Sequence, residues 1–161
     1  MNSAALPVRR SPHIVDVLIA ERAPRLTASP LWPAVRPLLY SILNYKAAVR
    51  MADAVRDRSG SESLDYVSDL LRLKVTASPL DRLPATGRCV VVANHPTGIA
   101  DGVAVYDAVK RRRLDAVFFA NADALRVSPR LTETVIPVEW VHDKRTREKT
   151  RATLNAAKAA F

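Results

Sequence analysis

Cys89-Val90-Val91-Val92-Ala93-Asn94-His95-Pro96-Thr97-Gly98-Ile99-Ala100-Asp101-Gly102 changes character twice. Val90, Val91 and Val92 form an apolar, β-branched run that reads as a buried strand. The run stops at Asn94-His95-Pro96-Thr97-Gly98, a cluster of loop formers. Beyond it, Asp101-Gly102 opens a segment with Val103, Tyr106 and Val109 at helical spacing. A strand therefore delivers a histidine into a tight loop, with a carboxylate at the start of the following helix. Ligands of open α/β sheets bind outside the carboxyl ends of the strands, where this loop is expected. The spacing lets the loop fold back and pair imidazole with carboxylate, a candidate general base and its orienting group. Plainer roles fit the same residues: Asp101 as a helix cap, and His95 as a loop residue before a proline.

Asn94 to Gly102 resembles the first motif of the glycerolipid and lysophospholipid acyltransferase superfamily, the 1-acylglycerol-3-phosphate acyltransferase-like proteins. The commonest form of that motif has four residues between His and Asp. The longer spacing and the Pro96-Thr97-Gly98 turn look like its hemolysin-like branch. Ser78-Pro79-Leu80-Asp81-Arg82-Leu83-Pro84-Ala85-Thr86-Gly87 resembles the approach to the motif strand. Val135-Ile136-Pro137-Val138-Glu139-Trp140 and the basic run after it resemble the second family block. The resemblance covers roughly Leu73 to Phe161.

The resemblance implies acyl transfer from acyl-coenzyme A or an acylated carrier protein to a lysophospholipid or related acceptor. It implies no cofactor beyond that acyl donor. His95 takes the place of the general base and Asp101 of its orienting acid, as in a serine-protease triad. Asn94, Pro96, Thr97 and Gly98 take substrate-binding places, and Lys144 or Arg145 that of the basic residue that binds the acceptor phosphate. The family's third block, a strand ending in a Pro-and-Gly motif, is absent before Phe161. The chain is thus expected to be a fragment or a truncation, less securely folded than its relatives and weakly active or inactive.

The sequence has 161 residues and is 48% hydrophobic, enough for one ordinary core. Its formal net charge of +9 suggests anionic partners. Cys89 is the single cysteine, which excludes an internal disulfide and fits a reducing compartment. Met1 to Arg10 lacks the apolar run of a secretory signal. No apolar stretch is long enough to span a bilayer, so any membrane role is peripheral. The expected location is cytoplasmic, at the inner face of the membrane.

Met1 to Arg10 reads as a loose tail. Ser11-Pro12 opens a short helix over Ile14 to Arg22, which Pro24 ends. Ser29-Pro30 repeats the signal, and Leu31 to Arg58 reads as one long or broken helix. Val35, Leu38, Leu39, Ile42, Tyr45 and Val49 form its apolar stripe, flanked by Arg36, Lys46 and Arg50. The simpler reading buries that stripe on the sheet. The other lays it in a membrane interface, with Trp32 and Tyr40 near the headgroups. Arg58-Ser59-Gly60-Ser61 breaks the chain, and Ser61 is the expected cap of a helix over about 62 to 72.

Thereafter strands and helices alternate. Strands are expected at Leu73 to Ala77, Cys89 to Ala93, Asp115 to Ala120 and Val135 to Trp140. Helices are expected at Asp101 to Arg112, Ala122 to Val127 and about Thr146 to Phe161. The pattern predicts an α/β fold with a mostly parallel sheet and crossover helices, preceded by an N-terminal helical region. The domains are then an N-terminal helical region over 1–72 that packs on the catalytic part, and an acyltransferase-like α/β portion over 73–161.

Lys110-Arg111-Arg112-Arg113 ends a helix, where cations stabilise the macrodipole. An anionic-lipid or phosphate patch is the competing reading. Lys144-Arg145-Thr146-Arg147-Glu148-Lys149 instead follows a strand and opens a helix, a geometry that favours anions. A solvated helix face is its plain alternative. His13 and His142 have no partner at metal-ligand spacing, so no metal site is expected. Three functions remain: a membrane-peripheral acyltransferase, a thioester or lipid hydrolase using the same dyad, and a non-catalytic binder of anionic membrane or nucleic acid. Nucleic acid ranks last, because no recognition motif or interleaved aromatics accompany the charge.

Overall fold

The computed structural model describes residues 11–161; the expected tail over Met1 to Arg10 lies outside the described residues. The chain divides into two compact units between Asp53 and Ala54. In the first unit run α1 (Ile14–Arg22), α2 (Pro24–Thr27), α3 (Trp32–Ile42) and the start of α4 (Tyr45–Val55). The residue that caps α1 is His13, not Ser11: its Nδ1 accepts the Val15 N–H at 3.2 Å. Its Nε2 lies 3.1 Å from Asp53 Oδ1, tying the start of α1 to α4.

Asp16 on α1 accepts the hydroxyls of Tyr40 at 2.8 Å and Tyr45 at 2.9 Å. The two rings stack with centroids 4.0 Å apart. Burial and the Asp16 carboxylate push both phenols up, that of Tyr45 to about 12. Of the long or broken helix expected over Leu31 to Arg58, the broken form is found: Asn44, at φ 51°, separates α3 from α4. The apolar stripe of α3 faces solvent at Leu38 and Ile42.

The second unit begins its regular structure with α5 (Gly60–Leu71). Its cap is Ser59 rather than Ser61, because Ser59-Gly60-Ser61-Glu62 forms a capping box. Ser59 Oγ accepts the Glu62 N–H at 3.2 Å, and Glu62 accepts the Ser59 N–H at 2.8 Å. Gly60 is required by close packing: a Cβ there would lie 2.5 Å from Thr134 Oγ1. The core combines Val103, Tyr106 and Val109 from α6 (Ile99–Val109) with Val135 and Ile136 from β2 (Val135–Val138). Full burial of each such aliphatic side chain contributes about 1.5–3 kcal/mol. Ser128, wholly buried, pairs its hydroxyl with that of Ser63 at 3.2 Å and joins α5 to the loop before β2.

β1 (Phe118–Asn121) and β2 form a two-stranded parallel sheet in the register Phe118↔Val135 to Asn121↔Val138. Between them run α7 (Asp123–Val127) and a 3₁₀ segment, Pro129–Glu133. α8 (Arg147–Ala160) packs on β2, where Thr153 Oγ1 donates to the Pro137 carbonyl at 2.8 Å. Pro137 lacks an N–H and suits a strand paired on one side only. The architecture is mixed α/β, mostly helical with a small parallel sheet.

Two of the expected strands carry no ladder. Leu73 to Ala77 has no strand partner, and neither has Cys89 to Ala93. In the first, the Val75 carbonyl accepts from Arg111 Nη2 at 2.9 Å rather than from the N–H of a neighbouring strand. For the second, Val90, Val91 and Val92 are 66%, 51% and 89% exposed, so the valine run lacks the burial that its composition suggested. The expected N-terminal helix over 62 to 72 is α5, and it packs within the second unit against α6.

Candidate active site

The His95 loop is shaped by the start of α6. Pro96-Thr97-Gly98 form the turn, and Gly98 caps the helix at φ 70°, ψ −124°. That backbone region is open essentially to glycine alone. A Cβ on Gly98 would touch nothing within 4 Å, so the demand is conformational rather than steric. Asp101, the third helical residue, turns back over the loop and accepts the Thr97 N–H at 2.7 Å. A carboxylate in the first turn also meets the positive end of the helix dipole.

His95 Nδ1 lies 4.0 Å from Asp101 Oδ2, the oxygen that also takes the Thr97 N–H. This is ion-pair range and longer than a hydrogen bond. The His95 ring lies over Gly102, whose missing Cβ would sit 3.8 Å from Cε1. The side chain is 62% exposed, against 26% for Asp101. Hydrogen bonding by the Thr97 side chain and then its backbone, with the imidazole adding a smaller attraction, holds the Asp101 carboxyl below the usual carboxylate range. An ionised acid thus faces Nδ1 of a ring that is largely exposed to solvent. Asn94 and Pro96 are exposed beside it.

Over 50 residues the chain is 38% identical to a lyso-glycine lipid O-acyltransferase of Phocaeicola vulgatus. The similarity relates this chain to a lipid acyltransferase. The matched stretch is 31% of this chain and spans 18% of that protein's length. No protein-family model matches the chain, and no solved structure matches it.

The two basic runs separate in role. Lys110 pairs with Asp107 at 2.6 Å and Asp65 at 2.7 Å. Arg112 Nε donates to the Leu83 carbonyl at 2.6 Å, and Arg113 Nη1 to that of Gly87 at 2.7 Å. Arg113 also grips Asp115 through two bonds, of 2.9 and 2.6 Å. With the Arg111–Val75 bond, this run stitches the connection from Val75 to Gly87 onto the end of α6, and that connection leads directly into the His95 segment. Sequence reading offered a dipole role or an anion patch for these arginines and missed the carbonyls. The available signal was a Pro-rich connection with no helix or ladder to satisfy its acceptors.

Lys144 and Arg145 stand between β2 and α8, Lys144 at the end of a 3₁₀ turn, His142–Lys144. Glu139 organises this corner: it takes Lys149 Nζ at 2.9 Å and the Val141 N–H at 3.0 Å, and the lysine holds its carboxyl low. Arg145 Nε reaches the Glu139 carbonyl at 3.4 Å. Arg145 lines an open groove along α8 that neither His95 nor Asp101 lines. A second groove, in the first unit, is lined by Asp16, Trp32, Arg36 and Tyr40. Among the described residues, no three His, Cys, Asp or Glu side chains cluster closely enough to hold a metal ion. No helix of the described residues is long and apolar enough to cross a membrane.

Proposed function

We propose that this protein is a membrane-peripheral acyltransferase that moves a fatty acyl group from acyl-coenzyme A or an acyl-carrier protein to a lysophospholipid or related lysolipid. The observation that carries the reading is an exposed imidazole with one nitrogen turned toward an ionised carboxylate that its own loop holds in place. The acceptor of the Phocaeicola protein is a lyso-glycine lipid acylated on oxygen, which favours a hydroxyl nucleophile here too.

In the reaction, His95 takes the proton of the acceptor hydroxyl as that oxygen attacks the thioester carbonyl. Asp101 holds the ring and stabilises the imidazolium. The tetrahedral intermediate then collapses: the new C–O ester bond remains, the C–S bond breaks, and His95 returns its proton to the departing thiolate. Asn94, Pro96, Thr97 and Gly98 border the reacting atoms, and Lys144 or Arg145 meets the acceptor's anionic headgroup. Crossover connections within a larger parallel sheet belong to the same proposal. The solvent-facing stripe of α3 at Leu38 and Ile42, with Arg36 beside it, supports a peripheral seat on the membrane, at the cytoplasmic face.

The test is acyl transfer from a radiolabelled acyl thioester to a lysolipid, with thiol release measured in parallel. His95→Ala is expected to lose about 10²- to 10⁴-fold in ester formation. Equal ester formation by wild type and His95→Ala would remove the proposed chemistry. Thiol release that does not depend on the lysolipid would identify a hydrolase instead.

A further inference from the structure

One face of α8 gathers cations and large apolar side chains along a single groove. Arg147, Arg151, Leu154, Lys158 and Phe161 follow one another at steps of four, three, four and three residues, which places them in a single helical row. The row is about 21 Å long at 1.5 Å per residue. With Arg88 and Arg145 it lines a groove of about 1090 Å³ that is open along its length and whose lining includes no Asp or Glu. The other basic run is engaged within the protein: Lys110 in ion pairs and Arg111 to Arg113 on carbonyls. Among the described residues, Arg88, Arg147, Arg151 and Lys158 have no ion-pair partner. Leu154 lies between Arg151 and Lys158 and Phe161 ends the row, 61% and 51% exposed. The opposite face of the helix is already used, through Thr153 on Pro137 and Lys149 on Glu139.

We propose that this face of α8 docks on an anionic phospholipid bilayer, with the cations on lipid phosphates and Leu154 and Phe161 in the acyl boundary. Charge and shape together select this occupant. A free nucleotide or a nucleic-acid backbone satisfies the cations and leaves Leu154 in water. A lipid surface satisfies both sets of groups, and its flatness suits an open row rather than an enclosed cavity. The inference concerns a surface of the second unit, separate from the α3 stripe, and holds whether or not His95 performs acyl transfer.

The experiment places a reporter on the face itself, so that binding through another surface does not register. In the full chain with Trp32→Phe and Trp140→Phe, Leu154→Trp supplies one indole. Vesicles of phosphatidylcholine mixed with phosphatidylglycerol are expected to shift its emission to the blue, and phosphatidylcholine vesicles alone to leave it unchanged. Adding Arg147→Gln and Arg151→Gln is expected to weaken that response about 25-fold, about fivefold per cation lost. Phe161→Trp in the same background, at the end of the row, gives a second reporter should Leu154→Trp disturb folding. The proposal is overturned by no shift with anionic vesicles, or by an equal shift with neutral ones. It is also overturned by an emission already blue before vesicles are added, which means protein covers the face, or by a response to a short oligonucleotide in place of vesicles.

Discussion

Thr97 donates its backbone N–H to the Asp101 carboxylate at 2.7 Å, and this bond closes the loop that presents His95. The acid therefore has two tasks, one structural and one electrostatic, and substitutions separate them. The Asp101→Asn side chain keeps an oxygen for the Thr97 N–H but offers the imidazole no charge. Asp101→Ala removes both. We expect Asp101→Asn to lose about 10²- to 10⁴-fold in kcat/KM with only a small fall in melting temperature, from the charge lost at the start of α6, and Asp101→Ala to lose activity and loop order together. Thr97→Val should raise the Asp101 carboxyl toward its ordinary range, readable by NMR titration, because the threonine side chain is the leading cause of its depression. A carboxyl that titrates identically in wild type and Thr97→Val contradicts this account of the loop.

Gly98, between the two residues of the dyad, and Gly102, just after it, make opposite demands. Gly98 sits at φ 70°, ψ −124°, so Gly98→Ala should cost about 1–3 kcal/mol through backbone strain although its Cβ has room. A Cβ at position 102 meets His95 Cε1 at 3.8 Å, an ordinary contact, inside a helix that favours alanine. Gly102→Ala should therefore be neutral or slightly stabilising. Urea denaturation of both variants checks the contrast; equal midpoints would refute it.

These contrasts show what the sequence could and could not convey. The helix after the loop and the parallel pair around Phe118 and Val135 followed from periodicity and from the alternation of strands with helices, whereas the spacing of His95 and Asp101 allowed their approach to 4.0 Å without deciding it. The ladder at Cys89 to Ala93 did not follow, because a valine run announces a strand without naming its neighbour, and pairing is a tertiary property. The cap at Ser59 was legible in Ser59-Gly60-Ser61-Glu62 and was displaced by two residues, since two serines compete and only the glutamate spacing chooses between them. The approach of Gly60 to Thr134 joins residues far apart in the chain and had no local signal.

Tyr106 makes stability fall in alkali. Burial, then its hydrogen bond to Asp65, pushes the phenol up to about 12 from the ordinary 10.0. A raised folded value means the contribution is complete below pH 10 and is lost as pH rises toward 12, on the order of 2 kcal/mol in all. Tyr106→Phe should flatten the stability profile across that window. On the acid side, burial pushes the Asp107 carboxyl up, but bonds from Lys110 and Ser68 outweigh it and leave it below its ordinary range. Its contribution is present above that range and is lost as pH falls through the lowered folded value. Chemical denaturation from pH 3 to 12 (roughly the span of the carboxylate and phenol ranges) measures both limbs, and a Tyr106→Phe profile as steep in alkali as wild type would discount the phenol.

Arg113 positions the approach to the His95 segment without touching His95 itself. Its guanidinium joins the Gly87 carbonyl at 2.7 Å, Cys89 Sγ at 3.4 Å and both oxygens of Asp115, while the side chain itself is 11% exposed. Charged donors of this kind contribute more than neutral ones, and Arg binds a carboxylate through a planar fork that Lys does not possess. Arg113→Ala should release Gly87 to Cys89 from the end of α6 and speed tryptic cleavage after the exposed Arg88 on the order of tenfold. Arg113→Lys should fall between the two, since it keeps the charge and loses the fork. Amide exchange in α6 should stay slow in both variants, because Val103, Tyr106 and Val109 hold that helix in the core independently of the arginine. Cleavage after Arg88 at the wild-type rate in Arg113→Ala would mean that the segment is held by something other than this side chain.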